Sequence, residues 1–386
     1  MSTSALSSSA QAGPLRLGIL GCAHIARAFA RDVSPGPHAS LVAVASREQA
    51  KASAFAADFG IPRHHGSYEA LLADGDVEAV YIPLPNSLHA QWAVRAAQAG
   101  KHVLCEKPLA LNLAQARAMF EAAQRHGVML LEAYPWWFQP QTGVLVELLH
   151  GATAPSDVKG AGATLGATLG AGAATGAGLT AGAIGTVQSV QASFGFTLSR
   201  PAGNIRLDPS LGGGALLDAG CYPLSLIRLA MGQAPERVTA HPTWGPSGVD
   251  LAMMATLHYG DGRHAQLACS MVGGQHRYAL INGSDGVIET EYLNHSHTAS
   301  QPPVHGFLPS RMRLRRGVAA GAPFEEIVCP GGSGFAFAAE AFARVVRLGD
   351  HAAIAQAARV SLDIAATLEA LAASARSGRT VKVPRT

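Results

Sequence analysis

The sequence predicts an α/β protein: an N-terminal Rossmann region with a doubly wound parallel sheet, then a C-terminal α/β region on an open, mostly antiparallel sheet. Three observations predict it. An apolar run, Leu15–Leu20, enters a tight turn at Gly21-Cys22-Ala23 and then a helix over 24–31, which is the opening of a dinucleotide-binding βαβ unit. Apolar strands and helical stretches then alternate to residue 133, the pattern of a parallel sheet covered on both faces. From residue 184 the text changes to two-residue alternation broken by Gly, Asp and Pro turns, as in antiparallel sheet.

Taken in order, residues 1–14 (Ser/Ala-rich) read as a disordered tail. In the first turn, Gly21, Ala23 and Ala26 hold the places of G-x-G-x-x-G/A. Gly21 permits the turn, a small residue at Ala23 lets backbone approach a pyrophosphate at the helix N-terminus, and Ala26 lets the helix pack close to the strand. Alone, the motif fits an ordinary βα turn equally well. Strand 41–45 ends in Ser46-Arg47, where an adenosine ribose would be read. No acid stands there to accept from a ribose 2′-OH. Ser46 and the planar fork of Arg47 suit a 2′-phosphate instead, although an arginine at a strand end is also a common solvated residue.

Helix 48–59, short helix 68–72, strand 77–82, helix 90–99, strand 102–105, helix 113–126 and strand 128–133 complete the parallel sheet. The turns at Gly21, Ser46, Pro83 and Glu106 all fall at carboxyl strand ends, where such sheets bind ligands. Helix 143–150 precedes a Gly/Ala/Thr-rich tract over 151–182 with no period able to bury a face, which reads as a flexible insertion. Strands are expected at 187–196, 238–241, 251–259, 264–271, 277–282, 287–291 and 380–383, with helices at 215–231 and 360–375. The domain division is a Rossmann domain over 15–135 and a substrate and oligomerisation domain over 136–383.

The 386 residues provide for two domains and a large core. With 29 basic against 26 acidic residues and a formal charge of +3, the balance speaks against nucleic acid or an anionic membrane as partner. The 5 cysteines are scattered without metal-ligand spacing, so a reduced cytoplasmic setting and no metal are expected. No secretory signal and no bilayer-spanning run is evident.

Three stretches carry reactive side chains. Glu106-Lys107-Pro108 follows a parallel strand at the ligand edge; its X–Pro bond is a candidate for cis. Gly212-Gly213-Gly214 opens a helical stretch in which Asp218 and Tyr222, four apart, share a face; a capped core helix with a buried tyrosine reads the same spacing equally well. Pro83–His89 places Asn86 and His89 on the loop that would pass a nicotinamide, although Asn86 also suits a plain cap.

Together GILGCAHIA, AVYIPLPNSLHA, GKHVLCEKPLA, LEAYPWWFQPQ, AIGTVQSVQASFGF and GGGALLDAGCY resemble the Gfo/Idh/MocA oxidoreductases, nearest to the branch with dimeric dihydrodiol dehydrogenase, NADP-dependent xylose dehydrogenase and glucose–fructose oxidoreductase. The resemblance implies that Lys107, Asp218 and Tyr222 are catalytic. It implies a cofactor site at Gly21, Cys22, Ala23, His24, Ile25, Ser46, Arg47, Pro83, Asn86, His89, Glu106 and Lys107, holding NADP(H) in preference to NAD(H). An arginine and a histidine that often help line the family's substrate pocket are missing after residue 133, and Trp136 and Trp137 stand nearby; with Arg206, Asp218 and Tyr222 they are expected to line a substrate pocket for a sugar, polyol or trans-dihydrodiol. A homodimer or homotetramer through the C-terminal sheet is implied as well.

The expected reaction is reversible hydride transfer between nicotinamide C4 and a carbinol carbon. Tyr222 would exchange the proton, its pKa lowered from about 10 by the Lys107 ammonium. Two other readings share the fold: a non-catalytic dinucleotide sensor and an NAD-dependent glycosidase.

Overall fold

β1 (Leu15–Leu20) is buried along its length except at Arg16, as a strand with parallel neighbours and covered faces must be. It sits inside a six-stranded sheet with β2 (Ala39–Ala45), β3 (Arg63–His65), β4 (Ala79–Ile82), β5 (His102–Glu106) and β6 (Leu130–Ala133). The order is β3-β2-β1-β4-β5-β6 and every pair is parallel. The order reverses at β1, so the ligand crevice opens over the carboxyl ends of β1 and β4. The computed structural model describes residues 13–33, 36–150, 182–199, 202–299 and 306–386. The expected tail over 1–14 and insertion over 151–182 therefore lie, apart from their last residues, outside the described residues.

A nine-stranded mixed sheet follows, in the order β16-β15-β12-β11-β7-β10-β9-β8-β17. Its strands are β7 (Val187–Thr197), β8 (Arg237–Trp244), β9 (Asp250–His258), β10 (His264–Ser270), β11 (Val272–Gly283) and β12 (Gly286–Thr290), then β15 (Ser310–Arg316), β16 (Glu325–Cys329) and β17 (Val381–Lys382). A small pair, β13 (Thr298–Ala299) and β14 (Gly306–Phe307), stands apart. Only β7 and β10 run parallel within the large sheet; its other pairs are antiparallel. One face packs on helices Cys221–Met231 and His351–Ser377. The opposite face carries Met254, His264, Gln266, Tyr278 and Arg313, all exposed, which is the alternation expected of a one-sided sheet.

Several elements differ from expectation. β3 has no apolar pattern and exists through its pairing with β2. β15 and β16 were not foreseen; in SRMRLRR, Arg311 and Arg313 are exposed while Met312 and Leu314 are buried. Helix Gly334–Leu348 was likewise missed, and the terminal helix starts at His351, capped by the Asp350 carboxylate accepting from Ala353 N–H, rather than at 360. The expected helical stretch over 215–231 is a π-helical turn, Leu216–Gly220, leading into α-helix Cys221–Met231.

Helix Gly334–Leu348 returns to the first sheet. Phe335 meets Phe29 edge-on, and Phe29 stacks on Tyr81 with ring centroids 3.7 Å apart. At the amino edge of β4, Arg347 makes a bidentate pair with Glu78, at 2.9 and 2.8 Å, and also donates to the carbonyls of Gly13 and Pro14. Arg347 holds the Glu78 carboxyl down at about 2. A folded-state value below the unfolded one contributes stability above the ordinary carboxyl pKa and loses it as pH falls. Glu78→Gln should therefore cost about 1 kcal/mol at neutral pH, given solvent screening, and flatten the loss of stability between about pH 5 and pH 2. Urea midpoints measured across that range check it; an acid limb identical to that of the parent contradicts it.

Candidate active site

Gly21 takes φ +115°, a conformation that L side chains rarely adopt, and a Cβ there would lie 3.0 Å from Leu84 Cδ2. The turn therefore brings bare backbone against the loop after β4. Helix His24–Val33 starts with Ala23, His24 and Ile25 exposed and no acid in its first turn, the setting that favours an anion. Cys22 is half-buried, its thiol pushed up by burial. At the end of β2, Arg47 is exposed, and the adjacent Glu48 is engaged by Lys51 at 2.6 Å. Ser46 is buried, its hydroxyl accepting from Glu48 N–H. These groups suit a dinucleotide phosphate chain in both shape and charge.

β5 delivers Lys107 to the same edge. The Lys107–Pro108 bond is cis. The ammonium donates to the Asp218 backbone carbonyl at 3.0 Å and to its Oδ1 at 3.4 Å. Arg206 Nε donates to the other oxygen, Oδ2, at 2.6 Å. Asp218 is thus a carboxylate shared by two cations. Burial opposes its charge, but Lys107 and Arg206 hold its carboxyl below the ordinary value. Burial likewise opposes the charge of Lys107, yet Tyr222, Asp218, Cys221 and Glu106 raise it, and the ammonium stays charged.

The π-helical turn has a consequence here. Its extra residue per turn presents the Asp218 carbonyl to Lys107 and sets Tyr222 at the start of the next helix. Lys107 Nζ lies 4.6 Å from the centre of the Tyr222 ring. Asn294 Nδ2 donates to the phenol oxygen at 2.9 Å. Burial raises the phenol pKa, against the pull of Lys107 and Arg277.

The remaining expected residues divide. Asn86 Nδ2 donates to the Gly212 carbonyl at 2.8 Å and ties the loop after β4 to the glycine turn. Pro83 is buried behind it. His89 is fully buried with both ring nitrogens on backbone carbonyls, those of Pro108 and Leu84; it braces the crevice loops rather than facing a ligand. Glu106 is also buried, accepting from Tyr81 Oη at 2.7 Å and from Lys107 N–H, so its side chain is engaged by protein next to the lysine.

Trp136 and Trp137 are corrected too. Neither is an exposed stacking wall. Trp136 is 1% exposed and its indole N–H is donated to Ser225 Oγ at 3.0 Å. Trp137 is buried against Tyr134, which meets the Tyr222 ring edge-on. Both form a layer behind Tyr222, because the apolar run continues the core instead of turning outward. Arg277 and Asn294 were missed: each joins the site from a distant strand or segment, and no local motif marks them; Tyr81 was missed inside AVYIPLPNSLHA, because the partner of its hydroxyl, Glu106, is on another strand. Among the described residues no cluster of His, Cys, Asp and Glu is able to hold a metal, and no helix is long and apolar enough to cross a membrane.

Residues 15–134 match the model of an oxidoreductase family with an NAD-binding Rossmann fold, and residues 177–289 match the GFO/IDH/MocA C-terminal domain. The chain belongs to the Gfo/Idh/MocA family. Among its relatives within the Gfo/Idh/MocA family, the D-xylose 1-dehydrogenase (NADP(+)) 2 of Haloferax volcanii is 35% identical over 373 residues, 96% of this chain and 100% of that one. The trans-1,2-dihydrobenzene-1,2-diol dehydrogenase of Xenopus tropicalis is 32% identical, covering 70% of this chain and 74% of that one. A 3-ketoreductase from Actinomadura kijaniata, solved in complex with NADP and TDP-benzene, superposes with a TM-score of 0.76 at 30% identity, over 94% and 98% of the two chains. This Gfo/Idh/MocA chain is an NAD(P)-dependent dehydrogenase or reductase acting on CH–OH groups.

The glycine turn is tight enough to test. A Cβ on Gly213 would sit 2.5 Å from the Arg206 carbonyl oxygen and 2.8 Å from that of Asp208. Backbone cannot yield cheaply there, so Gly213→Ala should cost about 1–3 kcal/mol and displace Arg206 from Asp218. Urea unfolding checks it; an unchanged midpoint contradicts it.

Proposed function

We propose that this enzyme is an NADP(H)-dependent oxidoreductase acting on a carbinol carbon of a sugar, polyol or trans-dihydrodiol, with Tyr222 as acid and base. The observation that carries the reading is the Lys107 ammonium, fixed by Asp218 and poised 4.6 Å from the Tyr222 ring. When bound, the nicotinamide dinucleotide supplies the hydride donor or acceptor. Its pyrophosphate is assigned to the turn Gly21–Ala23 and the start of helix His24–Val33. Arg47, exposed at the end of β2 with Ser46 beside it, is assigned to the 2′-phosphate. The names of the Haloferax and Xenopus relatives support the substrate class.

Tyr222 gives a proton to the substrate oxygen in reduction and takes one in oxidation. Lys107 stabilises the phenolate that donation leaves, and Asp218 with Arg206 keeps that lysine in place. A positioned acid or base contributes about 10²–10⁴ in rate, and alignment of two substrates roughly 7–11 kcal/mol, so positioning contributes at least as much. The open face of the nine-stranded sheet is the surface through which a homodimer or homotetramer would form.

Tyr222→Phe should lower kcat by about 10²–10⁴ while NADP(H) affinity stays unchanged; parental turnover in this variant removes Tyr222 from the role. Because the phenol pKa is raised, oxidation should quicken steadily as pH rises above neutral, while reduction stays flat over the same range. Arg47→Asp should shift the kcat/KM ratio from NADP towards NAD by about tenfold or more, read in initial rates with both cofactors; an unaltered ratio contradicts the assignment of Arg47.

A further inference from the structure

A second cation reaches Tyr222 from a strand distant in sequence. Arg277 lies on β11 in register with Phe194 of β7. Its guanidinium carbon is 4.0 Å from the centre of the Tyr222 ring, 4.4 Å from that of Phe194 and 5.1 Å from that of Tyr292. Nε and Nη2 are buried and find no hydrogen-bond acceptor. Polar N–H groups are seldom left so. Here the electron-rich ring faces take the place of a carboxylate, and the Tyr222 ring is the nearest of them.

We infer that Arg277 is a positioning residue for proton transfer, holding the Tyr222 ring in its aromatic cage and sharing with Lys107 the stabilisation of the phenolate. The inference rests on the reading of Tyr222 as acid and base. The charges around the phenol explain why one cation is not enough. From the end of β5 come Lys107 and Glu106, from β4 Tyr81, and from the segment after β6 Tyr134. Cys221 adjoins on its own helix, and Asp218 acts through Lys107. Asn294 meets the phenol oxygen, and Arg277 covers the ring from β11.

Only Lys107 and Arg277 in that set are positive. The charge of Lys107 is already divided, since Asp218 and Glu106 both act on it. Arg206 is committed to Asp218. The guanidinium of Arg277 has no carboxylate partner among the described residues; it is shared with Phe194 and with the ring and phenol of Tyr292, and the Tyr222 ring is the nearest of these to it. A phenolate has more negative charge for that guanidinium to meet than a phenol does, and the contact strengthens as the proton leaves.

The test reads the phenol directly. Protein is labelled with fluorotyrosine, and the fluorine resonance of Tyr222 is identified by its loss in Tyr222→Phe. Arg277→Met should raise the pH at which that resonance titrates by about one unit, and Arg277→Lys should restore most of the shift. Arg277→Gln is the second neutral variant should Arg277→Met fail to fold, with circular dichroism and NADP(H) binding as controls. The pH dependence of the oxidation rate should move with the resonance. An unmoved midpoint in the neutral variants overturns the inference, and so does an Arg277→Lys protein that behaves as Arg277→Met does. Retained turnover in Tyr222→Phe would instead overturn the acid and base role, a separate result, because the fluorine titration needs no substrate.

Discussion

The Lys107 ammonium is gripped from two directions, and the geometry of the crevice follows from that grip. The cis peptide after it turns the chain at the end of β5, and Glu106 below it is locked by Tyr81. From the other half of the chain, the π-helical turn offers both a backbone carbonyl and a carboxylate of Asp218. A buried charge is costly unless paired and hydrogen-bonded. Lys107 therefore requires Asp218 to be where it is, and Asp218 in turn places Tyr222 at the start of the following helix.

The two sheets are joined at both edges of the parallel one. At the carboxyl edge, Asn86 holds the Gly212 carbonyl and Lys107 holds Asp218. At the amino edge, Arg347 holds Glu78 and the segment leading into β1. Between them, Phe335 and Phe29 carry apolar packing through to Tyr81, whose hydroxyl ends on Glu106. A line of contacts thus runs from the start of helix Gly334–Leu348 through Phe29 and Tyr81 to Glu106, next to the lysine. Alignment of a hydride donor and acceptor depends on such rigidity, because effective concentration falls quickly with small displacements.

How much of this was legible in the sequence follows from the range of each interaction. Leu15–Leu20 with Gly21 announced its strand and turn because the signals are local: an apolar run, then a residue free to take positive φ. Lys107, Asp218 and Tyr222 were legible through their surrounding motifs. His89 and Glu106 were placed on the right loops, but the inward turn of their side chains to protein groups was not foreseen, since a sequence says where a side chain starts and not which way it turns. Trp136 and Trp137 went astray for the same reason; Ser225, which satisfies Trp136, lies far along the chain. Arg277 was invisible. It occurs in a strand with no motif, and its meaning arises only when β11 lies beside β7 and three rings close around it. The arginines of β15 hid a strand by filling its outward positions.

The account turns on whether the substrate oxygen enters the space between the lysine and the phenol. A crystal structure of the enzyme with NADP(H) and a sugar or diol bound tests this most directly. The account expects the oxygen of the reacting carbon within hydrogen-bond distance of both Tyr222 Oη and Lys107 Nζ. A substrate seated elsewhere, with that oxygen out of reach of both groups, would contradict it.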